Sequence, residues 1–245
     1  MVWERGFASE RRAAVAVWWE AITVIRRYPL AAFVPAVLLG ALGQSTYYLE
    51  EGPLNVSEEV ITSFTDAFAF YLYVTVADEI MIIYMAYAEE VEAEAEQGRE
   101  RIAMREVLRM LGRAVPFVPS IILASVAAIT LPIAASSLLL IPGLWLLTRW
   151  ALFAPVIARE RVGPVAALKR SDALVEGHFE LAFLTAALAI VLEEAIIHAG
   201  AAAGLAVTGS YTWGQFIGGW IATLLITPFA ALATSIAYSR VLRSS

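Results

Sequence analysis

Seven ionisable side chains stand inside stretches otherwise apolar: Asp66, Asp78 and Glu79 in one, Arg149 in a second, and Glu193, Glu194 and His198 in a third. A charge at the centre of a membrane helix costs about 2.5 to 3.5 kcal/mol on insertion scales, so each needs a partner or a purpose. Glu194 and His198 are four apart, which puts both on one helix face where they could share a cation. With Asp78 and Glu79 facing them, the four would form a carboxylate and imidazole site suited to zinc, manganese or iron. Asp66, Arg149 and Glu193 would complete a buried polar cluster. Two other uses compete with metal binding. One is a proton or cation relay, as buried acids provide in transporters. The other is structural, with Arg149 neutralising one glutamate while other acids are protonated by desolvation or hydrogen-bonded between helices.

Other chemistries lack their parts. There is no cysteine, hence no thiol nucleophile, disulfide or thiolate metal site. No serine sits in a nucleophile elbow and no glycine-rich phosphate loop is present. The formal charge of -6 comes partly from the run Glu89, Glu90, Glu92, Glu94, Glu96, and nothing in it suits nucleic acid. No cofactor is expected, a divalent metal being the one that these residues could hold.

The elements that must position these residues are membrane helices. Of the 245 residues 60% are hydrophobic and only 16% charged, with a mean hydropathy of +0.71, well outside the range of soluble domains. A bilayer core of about 30 Å needs about 20 mainly apolar residues in a helix. Six such runs can be read, at about 28–48, 60–87, 115–139, 143–158, 179–207 and 213–238. The second is the least apolar, so it should face the bundle interior. It should continue through the glutamate run until Gly98 breaks it. Pro132 should kink the third span, and Pro142-Gly143 should form a tight outer turn into the fourth.

Before the first span, Val15, Trp18, Ile22 and Ile25 recur at helical spacing, so residues 7–27 form an amphipathic helix suited to the headgroup region. Glu20 interrupts its apolar stretch and no small-residue cleavage site follows, so it is not expected to be a removable leader. Amphipathic stretches carrying Val107, Leu108 and Leu111, and then 165–176, precede the third and fifth spans. Sixteen of the 17 basic residues fall before the first span, in the loops after the second and fourth, or after the sixth. The positive-inside rule puts those segments and both termini in the cytoplasm. Arg26, Arg27, Lys169 and Arg170 are placed to meet anionic headgroups. Gly200 with Gly204, and Gly214 with Gly218, make small-residue faces for close helix packing, within one chain or between copies in a homo-oligomer.

The chain also repeats itself. Phe33-Val34-Pro35-Ala36-Val37-Leu38-Leu39 matches Phe117-Val118-Pro119-Ser120-Ile121-Ile122-Leu123 at the same point after a basic amphipathic helix. We therefore read an all-α polytopic fold, a single membrane domain over 1–245. It comprises three hairpins of two spans, each preceded by an interfacial elbow helix.

Two families bear comparison. Glu193-Glu194 with His198 resembles the paired-glutamate motif of intramembrane prenyl-protein proteases, but those need an arginine where His198 stands and two later histidines. Here the other histidine, His178, lies earlier. The stretch Ile141-Pro142-Gly143-Leu144-Trp145, Arg149-Trp150, Pro155-Val156, Glu160, Gly163-Pro164 and Ala167-Leu168-Lys169-Arg170-Ser171, with Glu176-Gly177 after it, resembles the membrane-domain family named after glycerophosphoryl diester phosphodiesterase. It is similar too to related six-helix bacterial and archaeal families. The resemblance is strongest over 99–183 and implies architecture, since phosphodiesterase activity in that family belongs to a separate soluble domain without a counterpart in this sequence. It also implies the cytoplasmic membrane of a prokaryote. The expected function is non-enzymatic engagement of lipid or a partner protein. A cation- or proton-coupled transporter and an intramembrane metalloenzyme acting on lipid are the alternatives.

Overall fold

A computed structural model describes residues 2–38, 80–138, 140–210 and 213–244, and every regular element among them is helical. In order these are α1 (Val2–Arg27), α2 (Pro29–Leu38), α3 (Ile80–Glu96), α4 (Met104–Ala114), a 3-10 turn (Val115–Phe117), α5 (Val118–Leu138) and α6 (Leu140–Arg149). There follow α7 (Phe153–Glu160), α8 (Pro164–Glu176), α9 (Phe179–Thr208), a π-helical turn (Gly214–Gly218) and α10 (Gly219–Ser244).

Among the described residues four helical runs are long and apolar enough to cross a membrane: Met104–Ala128, Ile141–Glu160, Phe179–Thr208 and Phe216–Ser244. A bent pair, Ser9–Arg27 with Pro29–Leu38 at 93°, would make a fifth. That bend has a local cause. Pro29 disfavours helical geometry at Tyr28 yet is well suited to begin the next helix. The expected second span lies outside the described residues up to 79. Beyond them α3 continues through the glutamate run, and Gly98, at φ +72°, turns the chain just past its end.

α10 is the hub. It packs against α9, α3 and α1, and 61% of its apolar window is buried against 24% for α9. Small residues allow this: Ala230, Ala231, Ala233 and Ala237 are all fully buried. The glycine faces meet one another inside one chain. A Cβ on Gly200 would stand 2.4 Å from the Gly218 carbonyl oxygen, and one on Gly204 2.4 Å from that of Gly214. Both faces are therefore used between α9 and the start of the last span.

The repeated Phe-Val-Pro meets one problem in two ways. Proline has no N–H to give the carbonyl four residues earlier, so Pro35 leaves Ala31 without its helical donor and Pro119 leaves Val115. Tyr87 donates its hydroxyl to the Ala31 carbonyl at 2.7 Å, with Tyr84 donating to Ala32 beside it. Val115 is instead served by the Val118 N–H through the 3-10 turn.

One expectation needs correcting around the fourth span. Pro142-Gly143 is not a turn but lies in the first turn of α6, where proline costs no helical hydrogen bond. The candidate span Ile141–Glu160 contains a turn at 150–152, between α6 and α7. There Ser171 of α8 closes the gap, accepting from the Leu152 N–H at 3.1 Å and donating to the Arg149 carbonyl at 2.9 Å.

Candidate functional site

The basic residues gather at one end of the helices, where ion pairs tie four distant segments together. Arg11 meets Glu180 at 3.1 Å, and Arg240 meets Glu20 at 2.7 Å. Arg113 meets Glu90 at 2.9 Å, and Arg170 meets Glu160 at 3.1 Å. Ser244 contacts His178 at 3.0 Å. Most of these pairs are solvent-facing and contribute little singly. Together with Arg159 and Arg243, which both meet Glu96, they bring α1, the end of α3, the α7–α8 region and the C-terminus to one polar end.

At the inner edge of that end lies a site of another kind. Glu89, Glu92 and Glu96 are three and four apart, so they form a stripe along one face of α3. Glu89 is 5% exposed and Glu92 3%. The Ser235 hydroxyl from α10 lies 2.7 Å from Glu89 Oε1 and 2.6 Å from Glu92 Oε2. Arg159 enters from α7. Its Nη1 donates to Ser239 Oγ at 2.6 Å and approaches Glu89 at 3.4 Å, while Nη2 donates to Glu96 at 3.3 Å. The same Nη1 stands 3.9 Å from Glu92 Oε2. Arg243 meets Glu96 from the other side at 3.3 Å. Both inner glutamates lie past the expected end of the second span. Burial, reinforced by the Glu92 charge, pushes the Glu89 carboxyl well above the usual range. Burial also raises that of Glu92, with Ser235 opposing.

Of the seven residues singled out inside apolar stretches, Arg149, Glu193 and His198 have described side chains. Asp66, Asp78 and Glu79 lie outside the described residues, as does the side chain of Glu194. On α9, Glu193 is partly buried and His198 exposed. Among the described residues no group of three or more His, Asp or Glu side chains could hold a metal ion. The described partners of Arg149 lie on α8 and α6. It pairs with Asp172 of α8 and lies over the Trp145 ring, 5.2 Å from its centroid. The Arg149 guanidinium in turn holds the Asp172 carboxyl below its ordinary range. Arg26 and Lys169 are exposed, Arg27 donates to the Gly98 carbonyl, and Arg170 is taken by Glu160.

A second feature opens sideways. Val15, Trp18, Trp19 and Ile22 of α1 and Leu184, Ala187, Leu188 and Val191 of α9 line an open groove of about 750 Å³, with Arg11 at its rim. Trp19 is 62% exposed, Val15 59% and Val191 62%. Sequence reasoning missed both features. The α3 stripe had a signal in its spacing, and Ser235 and Ser239 are four apart on the last span. Nothing in the spacing pointed to Arg159. No protein-family model, no curated protein and no solved structure matches this chain.

Proposed function

We propose that this chain is a six-span protein of a prokaryotic cytoplasmic membrane, with both termini and the basic end in the cytoplasm. Its three elbow-and-hairpin units would make it a relative of the phosphodiesterase membrane-domain family. Its function is to hold an anionic phospholipid, without catalysis, in the groove between α1 and α9. The groove itself carries this reading. Its walls are aliphatic and indole side chains on an amphipathic helix and a candidate span, and its rim is a guanidinium. An acyl chain fits such walls and a phosphate such a rim. Glu180 already engages Arg11, so the headgroup competes with that carboxylate and draws on the neighbouring Arg12 charge.

The test is lipid retention, measured by native mass spectrometry on protein extracted into detergent and given phosphatidylglycerol or phosphatidylcholine. Selective retention of phosphatidylglycerol is expected, reduced several-fold by Arg11→Gln and by Leu188→Trp, which fills the groove. Equal retention of both lipids, or retention indifferent to both substitutions, would sink the reading.

A further inference from the structure

Glu89 and Glu92 present a hydrogen count that does not close with both carboxylates ionised. A serine hydroxyl has one hydrogen and can donate it once. Ser235 Oγ nevertheless stands within hydrogen-bonding distance of an oxygen from each glutamate, 2.7 and 2.6 Å. If Ser235 donates to one carboxylate, it can only accept from the other, which must then carry a proton. Charge gives the same answer independently. Three carboxylates, Glu89, Glu92 and Glu96, face two guanidiniums, Arg159 and Arg243, leaving one negative charge over. Excess charge in a buried site is relieved most readily by protonation.

The remaining neighbours do not supply the missing positive charge. On α3, Glu90 is paired with Arg113 of α4, and Glu94 with Arg99. From α7, Glu160 is paired with Arg170 and accepts from Tyr238 of α10. Tyr84 and Tyr87 give their hydroxyls to α2. α5, which also packs on α3, offers Ser125, already bonded to its own helix at Ile122.

A route to solvent is present as well. Glu96, Arg159, Ser239, Leu242 and Arg243 line a cleft of about 530 Å³. Ser239 belongs to that cleft and shares Arg159 Nη1 with Glu92. The connected order is cleft, Ser239 with Arg159, Glu92, Ser235, Glu89.

We propose that Glu89 and Glu92 form a binding site for a single exchangeable proton, shared through the Ser235 hydroxyl, balanced by Arg159 and reached from the cleft past Ser239. Ser235 reverses its donor direction when the proton passes from one carboxyl to the other. The site answers to the pH at the basic end of the bundle.

Infrared spectroscopy of the full chain in lipid nanodiscs, titrated from about pH 5 to about pH 9, tests this directly through the C=O stretch of protonated carboxyls. The wild-type protein should carry at neutral pH an absorption that disappears on raising the pH. Glu89→Gln and Glu92→Gln, each mimicking the protonated acid, should each remove one carboxyl's amplitude. Ser235→Ala, which keeps both acids, should shift its frequency, and it decides the matter if either glutamine variant fails to fold. Three results would overturn the proposal: no protonated carboxyl in the wild type at neutral pH, an absorption unchanged by all three substitutions, or one that appears only when sodium and magnesium are withdrawn. The last would mean that a metal cation holds the pair.

Discussion

If Tyr87 serves the carbonyl that Pro35 orphans, the two residues must be energetically coupled although they stand on different helices. Tyr87→Phe keeps the ring, which packs edge-on against Tyr84 with centroids 5.4 Å apart, and removes only the hydroxyl. Its acceptor, the Ala31 carbonyl, belongs to a fully buried residue and is then without a donor. An unsatisfied buried polar group costs about 1–3 kcal/mol. In a Pro35→Ala background the restored N–H at position 35 can bond Ala31 along the helix. The tyrosine is then redundant, and its loss should cost about 0.5 kcal/mol or less, the low end of a net hydrogen bond. The expected coupling of about 1–2 kcal/mol exceeds the ~0.5 kcal/mol within which independent sites add. Unfolding of the four proteins in mixed micelles, followed by circular dichroism, would measure it. Additive effects would refute the reasoning and mean that Ala31 has another donor once Tyr87 is removed.

Two more outcomes are expected from the packing and the buried pair. Gly218→Ala would bring a Cβ to 2.0 Å from the Gly200 carbonyl oxygen, forcing α9 away from the last span. The expected loss is about 1–3 kcal/mol, as for other overpacked contacts, in the same unfolding assay, and wild-type stability would show that the helices do not meet there. The Glu89 carboxyl is raised by burial and by Glu92 from an ordinary value of 4.5. Its stabilising contribution is therefore fully present below the unfolded pKa and is lost as pH rises through the folded one. Over that window stability should fall by about 1.4 kcal/mol per pH unit for each proton the native state retains. Glu89→Gln should flatten the slope relative to wild type, and parallel profiles would show that Glu89 does not titrate differently on folding.

Sequence reasoning succeeded where the determinant is local. Length and apolarity mark the runs from which Phe179–Thr208 and Phe216–Ser244 emerge as candidate spans. Gly98 ends the α3 region because its positive φ suits glycine. It erred at Pro142-Gly143, because a dipeptide that often makes a turn is equally compatible with the first turn of a helix. The conformation of the neighbouring chain, not the dipeptide alone, decides between them.

The buried site was hidden for a different reason. A charge inside an apolar run is conspicuous, and so Glu193, Glu194 and His198 drew attention on α9, of whose apolar window only 24% is buried. Glu89 and Glu92 stand in a glutamate run that looks solvated, and only the i, i+3, i+7 stripe through Glu96 separates them from Glu90 and Glu94. Their hydroxyl partner Ser235 lies 146 residues from Glu89, and their counter-ion Arg159 70 residues away. No pattern within one helix joins them. The conjunction is set by α10, whose alanines let α3 approach closely enough for a serine to reach between two acids. A bulkier residue at Ala231, one turn before Ser235 and fully buried, would hold the helices apart and open the shared contact without altering any polar group. Small residues on the last span are thus as much a part of the site as the carboxylates they bring together.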